Sequence, residues 1–234
     1  MLKWKVVMNV SYKIITLGDS TMQFNDYTKY PQTGWPQALT RFIKQDVQIL
    51  NFAKNGRSTK SFIEQGLLEE ASKYMSDGDL VLIEFGHNDS KDDSLRHTEP
   101  FTSYKENLKK MVETAQMHKC DVILLTSIAE RKFVNGHVIN THGKYPEAMM
   151  ELAKEMNIPC IDLHKLTMEV LENTGEEKTK MFFMNFQDNT YTSIDGKSDD
   201  THLRYDGAFM VTKCFFEEMM KINLRKELFI IHEV

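Results

Sequence analysis

Long apolar runs and blocks of basic residues are both missing from this sequence of 234 residues. No segment approaches the roughly 20 apolar residues that a membrane-spanning helix needs. The net charge of −5 and the lack of a Lys/Arg run argue against a nucleic-acid partner. The N-terminal stretch carries lysines inside its short apolar part, which makes it a poor secretion signal and favours a cytoplasmic protein.

Cysteines and glycines are sparse where metal or nucleotide sites would need them. The three cysteines, Cys120, Cys160 and Cys214, are widely spaced in apolar settings, which predicts buried free thiols in a reducing compartment. No CxxC or CxH pairing indicates zinc, and we therefore expect no metal site. No glycine-rich run follows the first apolar segment, which speaks against a flavodoxin-type nucleotide or flavin binder.

Apolar runs alternate with amphipathic segments along the whole chain. The runs are continuous, which is typical of parallel strands covered on both faces. The five predicted strands comprise residues 14–17, 47–51, 80–85, 122–126 and 159–162. The predicted helices comprise residues 35–44, 101–119, 145–156 and 207–221, the last with Asp206 as its N-cap. This alternation predicts a doubly wound α/β sandwich, in one domain over residues 1–234.

Polar residues of chemical interest follow the predicted strands, where open α/β sheets bind ligands. Ser20 follows the first strand, Gly56 the second and Asn88 the third. A polar excursion at residues 184–199 precedes the last helix and is predicted to be a loop near the site.

Ser20 and His202 are the candidate nucleophile and base of an acyl-transfer reaction, which also needs a carboxylate to orient the base. Asp199 stands three positions before His202, and this spacing favours it over Asp200, which we expect to be solvated or capping. Asp19 is expected to hold the nucleophile turn through backbone hydrogen bonds. Candidate oxyanion donors are the Ser20 backbone N–H, Gly56 and the carboxamide of Asn88.

Four motifs in order resemble the four blocks of the SGNH (GDSL-type) hydrolase superfamily. They are Gly18-Asp19-Ser20, Gly56, Gly86-His87-Asn88-Asp89 and Asp199-x-x-His202. The resemblance implies a flavodoxin-like three-layer sandwich with a parallel five-stranded sheet and helices on both faces. It also implies the signature residues Ser20, Gly56, Asn88 and His202, with no metal or organic cofactor.

Further motifs resemble the rhamnogalacturonan acetylesterase branch of carbohydrate esterases. They include Phe85-Gly86-His87-Asn88-Asp89, Thr141-His142-Gly143-x-Tyr145-Pro146 and Asp200-Thr201-His202. The resemblance implies a serine esterase that removes acetyl groups from rhamnogalacturonan-type oligosaccharides. Arg131, His142 and Tyr145 are candidates to line the sugar site, with simple surface placement as the alternative.

Two other functions stay open at this stage. One is a lipase, thioesterase or lysophospholipase of the same superfamily acting on short acyl esters. The other is a non-catalytic carbohydrate-binding module on the same scaffold, although all four motifs are intact. We expect an acetylated oligosaccharide as the partner, no nucleic acid or membrane, and a monomer or small homo-oligomer.

Overall fold

The computed structural model describes residues 12–186 and 198–230. Within them five parallel strands form one sheet. In chain order they are β1 (Tyr12–Gly18), β2 (Val47–Asn51), β3 (Leu80–Phe85), β4 (Asp121–Thr126) and, after a short hairpin, β7 (Cys160–Ile161). Their spatial order is β2-β1-β3-β4-β7, the flavodoxin-like arrangement, so the predicted parallel five-stranded sheet is confirmed. The hairpin pairs β5 (Phe133–Val134) with β6 (His137–Val138) and was not predicted.

Helices cover both faces of the sheet. In chain order they are α1 (Trp35–Leu39), α2 (Thr59–Glu64), α3 (Leu67–Ser72), α4 (Lys105–Met117), α5 (Tyr145–Met156), α6 (Leu163–Thr174), α7 (Glu176–Thr179) and α8 (Tyr205–Met219). A π-helical turn over Pro100–Tyr104 precedes α4, and 3-10 turns occupy Tyr27–Lys29, Lys180–Phe182 and Lys226–Leu228.

The sheet divides the core into two layers because successive residues of a strand point to opposite faces. Along β3, Leu80 and Leu82 pack with residues of α1, α6 and α8. Val81 and Ile83 pack on the other side, with residues of α2, α3, α4 and α5. All four side chains are fully buried, which explains why the strands read as unbroken apolar runs.

Two helix predictions need correction. The helix predicted for residues 35–44 ends at Leu39, because the chain beyond it pairs with the C-terminal segment: Ile43 bridges Phe229 and the Ile230 N–H donates to the Phe42 carbonyl at 2.7 Å. The last helix begins at Tyr205, so Asp206 lies in its first turn and is not its N-cap. There its negative charge still interacts favourably with the positive end of the helix dipole.

Other expectations fall partly or wholly within the described residues. All three cysteines are free; Cys120 is buried, whereas Cys160 and Cys214 are half-buried. Most of the polar excursion predicted at 184–199 lies outside the described residues. None of the helices in the described part of the chain is both long and apolar enough to cross a lipid bilayer.

Candidate active site

Ser20 lies in a tight turn directly after β1, at the carboxyl end of the sheet. Oδ1 of Asp19 accepts hydrogen bonds from the Thr21 backbone N–H at 3.0 Å and from the Thr21 hydroxyl at 2.9 Å. The Gln23 N–H donates to the Asp19 carbonyl at 3.1 Å and closes the turn. Asp19 therefore holds the turn as expected, and it leaves Ser20 only 7% exposed.

Residues 33–35 connect the nucleophile turn to the C-terminal segment that carries the candidate base. The Trp35 N–H donates to the Thr21 carbonyl and the Thr33 N–H to the Leu203 carbonyl, each at 2.9 Å. The residue between them is a glycine, and a Cβ there would lie 2.1 Å from a main-chain oxygen of the turn. Only glycine permits this close approach, which brings the turn after β1 and the segment before α8 to one edge of the sheet.

His202 is held by Asp199 through two contacts. Nδ1 of the His202 ring lies 2.9 Å from Oδ2 of Asp199, and the His202 backbone N–H donates to Oδ1 at 2.9 Å. Burial raises the pKa of Asp199, but the hydrogen bonds from His202 and Thr201 outweigh it and hold the pKa well below its usual range. An ionised Asp199 keeps the ring proton on Nδ1, which leaves Nε2 as the acceptor that a general base needs.

The Asp200 side chain is 39% exposed, which agrees with the expectation that it is solvated, but it is also engaged in an ion pair. Its Oδ1 lies 2.9 Å from Nη1 of Arg131 and accepts a hydrogen bond from the Asn185 carboxamide at 2.8 Å. The Arg131 backbone N–H also donates to the Asp200 carbonyl at 2.8 Å. The ion pair therefore anchors the segment before His202 to the loop after β4.

The candidate oxyanion donors lie at the ends of β1, β2 and β3. Among the residues that the structure describes, neither the Ser20 N–H nor the Gly56 N–H has a hydrogen-bond acceptor. Gly56 has a φ of +74°, a conformation that side chains disfavour, and no atom lies within 4 Å of where its Cβ would be. Unpaired backbone donors at neighbouring strand ends are what an oxyanion site requires.

Asn88 is fixed in orientation by contacts at both ends of its carboxamide. Its Oδ1 accepts a hydrogen bond from Nη1 of Arg96 at 3.3 Å, and its Nδ2 donates to the Arg57 carbonyl at 3.1 Å. Nδ2 also lies 3.5 Å from Oδ2 of Asp19, so Asn88 contacts the nucleophile turn itself. Asn88 is 6% exposed.

Glu84 on β3 is a buried carboxylate beneath the nucleophile turn. It accepts hydrogen bonds from the Trp35 indole N–H at 2.6 Å and the Ile128 N–H at 3.3 Å, and its Oε1 lies 3.1 Å from the Thr21 hydroxyl oxygen, whose one proton Asp19 and Glu84 share. Burial, reinforced by the charge of Asp19, raises the pKa of Glu84 to about 7. The nucleophile turn therefore rests on an acid that changes charge close to neutral pH.

His87 provides the second contact of Asp19. Nδ1 of His87 lies 3.2 Å from Oδ2 of Asp19, and both side chains are buried. Burial opposes the charged forms of the two groups, but their mutual attraction prevails: the pKa of Asp19 is lowered and that of His87 is raised. The raised pKa of His87 favours an ion pair with Asp19 behind the turn that carries Ser20.

The Ser20 hydroxyl and His202 form no hydrogen bond within the described residues. Catalytic hydrogen bonds are often long in the absence of substrate and tighten in the complex, so this geometry leaves the assignment of nucleophile and base as a prediction.

The three candidate sugar contacts are buried and engaged with the protein. Besides Asp200, the Arg131 guanidinium donates to the Glu176 carbonyl at 2.7 Å. His142 is 2% exposed, and its ring centroid lies 4.4 Å from that of His87. The Tyr145 hydroxyl contacts the Asp89 carbonyl at 2.9 Å. Surface placement is therefore wrong for all three, and a role in sugar binding stays a prediction.

No group of three or more His, Cys, Asp or Glu side chains over residues 12–186 and 198–230 has an arrangement that could hold a metal ion. The site can instead offer a hydroxyl, an oriented imidazole, an ionised carboxylate and several N–H donors. These are the groups that acyl transfer by a serine uses.

Comparison with known proteins places this site in a family. The sequence pattern of the GDSL-like lipase/acylhydrolase family matches residues 16–208, most of the chain. The chain belongs to this family. The resemblance to SGNH hydrolases and the assignment as a carboxylic ester hydrolase are thereby confirmed.

Two curated relatives in Bacillus subtilis are similar along nearly their whole length. Rhamnogalacturonan acetylesterase RhgT is 35% identical over 93% of this chain and 94% of its own. The probable rhamnogalacturonan acetylesterase YesY is 33% identical over 90% and 94%. The crystal structure of YxiM from the same organism superposes with a TM-score of 0.74 at 25% identity, covering 91% of this chain and 57% of YxiM. The predicted likeness to the rhamnogalacturonan acetylesterase branch is therefore confirmed.

Two features of the site were not foreseen from the sequence. Glu84 interrupts the apolar run of β3. A carboxyl group inside a strand that is buried on both faces needs hydrogen-bond partners, so its presence indicates polar neighbours. No local sequence pattern indicated the contact of His87 with Asp19, because Asp19 follows β1 and His87 follows β3.

Proposed function

We propose that the protein is a serine carbohydrate acetylesterase that acts through Ser20, His202 and Asp199. The observation that carries the proposal is the Nδ1–Oδ2 contact of 2.9 Å between His202 and Asp199. It prepares the ring to accept a proton at Nε2, on the segment that residues 33–35 tie to the nucleophile turn. Ser20 follows β1 at the edge of the sheet where this fold binds ligands.

In the first half-reaction Ser20 Oγ attacks the acetyl carbonyl carbon while His202 Nε2 takes the hydroxyl proton. The developing oxyanion accepts hydrogen bonds from the Ser20 N–H, the Gly56 N–H and Asn88 Nδ2. One N–H of Asn88 stays on the Arg57 carbonyl, and the other is released from its long, 3.5 Å approach to Asp19. The bond between carbonyl carbon and sugar oxygen then breaks, and His202 returns the proton to the leaving sugar hydroxyl. Ser20 is left as an acetyl ester.

In the second half-reaction water replaces the sugar. His202 takes a proton from water as its oxygen attacks the acetyl-Ser20 carbonyl, and it returns that proton to Ser20 Oγ when acetate leaves. Asp199 stays ionised throughout and stabilises the imidazolium that forms in each half.

The proposed substrate is an acetylated rhamnogalacturonan-type oligosaccharide. The names of RhgT and YesY, together with their identity to this chain along its length, support this class of substrate. We also propose that the protein works in the cytoplasm on imported fragments, as a monomer or small homo-oligomer. Fractionation of native cells should find the protein with cytoplasmic markers; recovery from the medium would contradict this part.

Replacement of Ser20 tests the nucleophile. S20A should lose at least about a thousandfold in kcat on a chromogenic acetate, because acyl transfer loses its attacking atom. The matched control is S76A, which removes an exposed serine in the turn before β3, at the opposite end of the sheet. Retention of more than about a tenth of the rate by S20A would remove Ser20 from the mechanism.

Fluorophosphonate labelling separates the esterase from a non-catalytic binding module. The wild-type protein and S76A should be labelled and S20A should not, because the reagent reacts with activated serines. An unlabelled wild-type protein would favour the module.

Substrate panels separate the remaining alternatives. Acetate release from acetylated rhamnogalacturonan fragments should exceed that from acetylated xylan, and equal rates would defeat the sugar assignment while leaving the esterase. Acetate esters should be preferred over octanoate esters; the reverse order would favour a lipase or thioesterase.

A further inference from the structure

Asp19 connects three parts of the site through one carboxylate. Its Oδ1 receives the backbone and hydroxyl hydrogen bonds of Thr21, which shape the turn around Ser20. Its Oδ2 lies 3.2 Å from Nδ1 of His87 and 3.5 Å from Nδ2 of Asn88. Whatever fixes Asp19 therefore fixes both the nucleophile turn and a candidate oxyanion donor.

His87 is the base in contact with Asp19 among the residues that the structure describes, since neither lysine nor arginine reaches this carboxylate. The His87 side chain is 4% exposed and the Asp19 side chain is fully buried. Neither ring nitrogen of His87 makes a well-aligned hydrogen bond within the described residues, so what the ring offers Asp19 is the 3.2 Å approach of Nδ1 to Oδ2 and the charge that it can carry. A buried carboxylate without a countercharge would be strongly unfavourable.

Other titratable groups face His87 from each neighbouring element. The carboxylates of Glu84 on β3 and Glu130 after β4 act on it together with Asp19, and all three favour its positive charge. His142 packs edge to face against its ring, and His164 on α6 packs against His142 at 5.0 Å between centroids.

His87, His142 and His164 form a row of three packed rings. His142 and His164 do not compete with His87 for the positive charge. Burial lowers the pKa of both His142 and His164, and the charge of Lys91, in the loop after β3, further lowers that of His142. Only His87 has a carboxylate in direct contact, so a single positive charge at its ring is the arrangement that the row favours.

We propose that His87 is a positioning residue that carries a positive charge behind the nucleophile turn and thereby holds Asp19 in contact with Thr21 and Asn88. The proposal rests on the proposed esterase for its catalytic readout. Loss of the proton from His87 leaves Asp19 and Glu84 as buried acids without a countercharge, so the turn and Asn88 lose their fixed support. Activity should then decline at alkaline pH.

The variant H87N tests the charge while keeping a donor. An asparagine Nδ2 can take the place of the histidine Nδ1 as a neutral donor to Asp19 that does not titrate. We expect kcat/KM on a chromogenic acetate to fall about tenfold to a hundredfold near neutral pH, mainly through kcat, because transition-state support is lost. The alkaline decline of the wild-type profile, measured from about pH 5.5 to about pH 9.5, should be absent in H87N.

The matched control is H164N, which removes another buried histidine of the same row that does not contact Asp19. Its pH profile should keep the wild-type shape. An H87N profile with the wild-type alkaline decline would overturn the proposal, and so would equal changes in H87N and H164N, because a packing defect would then explain both.

A second measurement on the wild-type protein covers the case in which H87N fails to fold. Nitrogen NMR of the histidine rings should find both nitrogens of His87 protonated at about pH 6.5, where an unperturbed histidine is half neutral. A neutral His87 ring at that pH would overturn the proposal. This readout needs no catalysis, so failure of the esterase assignment, seen as an active S20A, is distinguishable from failure of the charge assignment.

Discussion

Two Asp–His pairs lie in the described part of the chain, and they differ mainly in their access to solvent. In the Asp199–His202 pair the histidine and aspartate side chains are 26% and 18% exposed, whereas in the Asp19–His87 pair they are 4% and 0% exposed. The first pair can exchange protons with substrate and water, which suits a general base. The second is buried away from substrate, so it suits a charge that stays in place and changes only with the pH of the solution. The difference in burial thus suits the two pairs to different roles, although both consist of an aspartate and a histidine.

Disruption of the exposed pair should have the largest effect on catalysis. D199N should lower kcat about a thousandfold to ten-thousandfold, because an amide facing Nδ1 favours the wrong tautomer of His202. The measurement is steady-state hydrolysis of a chromogenic acetate, with thermal unfolding to verify the fold.

D200N is the matched control, since it removes the neighbouring carboxylate and its ion pair with Arg131. It should change kcat less than about tenfold. A larger loss in D200N than in D199N would reverse the assignment of the orienting carboxylate.

The buried pair should be more strongly coupled in stability than a surface pair. A double-mutant cycle with D19N and H87N should give an interaction free energy of about 1–3 kcal/mol in urea unfolding at about pH 6. The comparison pair is His137–Glu172, whose side chains are 77% and 40% exposed and which should show no measurable coupling. Equal coupling in the two pairs would contradict the buried charge.

The pH dependence of stability sharpens the comparison further. The pKa of His87 is raised, so its contribution is complete below about pH 6.5 and is lost as pH rises through its folded value. Glu84, with its pKa raised to about 7, binds its proton more tightly in the folded state and acts in the same direction. The free energy of unfolding should therefore fall between about pH 5 and about pH 8.

E84Q should reduce this fall in the free energy of unfolding by about 1–2 kcal/mol, because one of the acids that titrate in this pH range is removed. Some slope should remain, because burial also raises the pKa of Asp89 to about 7. E172Q, at an exposed glutamate, should leave the slope unchanged. A wild-type slope in E84Q would mean that Glu84 does not titrate in this range.

The architecture was predictable from the sequence because it depends on local patterns. Unbroken apolar runs located the five sheet strands, and the helix over Tyr145–Met156 has the predicted bounds. The polar residues and glycines that follow the strands, namely Ser20, Gly56 and Asn88, indicated the candidate site. The spacing of Asp199 and His202 indicated their contact, since three residues span one tight turn.

What escaped prediction depends on contacts between distant segments. The helices α2, α3, α6 and α7 were missed, although Ser58 and Asp162 cap α2 and α6 with their side chains. The roles of Glu84 and His87 arise only when β1 and β3 lie side by side. The early end of α1 depends on the C-terminal segment, which is far away in sequence.

The indole of Trp35 has a consequence for observing this protein. The chain contains two tryptophans, Trp4 and Trp35, so replacing Trp4 by phenylalanine would leave a single emitter. Trp35 is fully buried, and its N–H lies 2.6 Å from a Glu84 oxygen. Indole fluorescence responds to nearby charge. The emission wavelength and intensity of Trp35 would therefore report proton loss from Glu84 in real time, without any added dye.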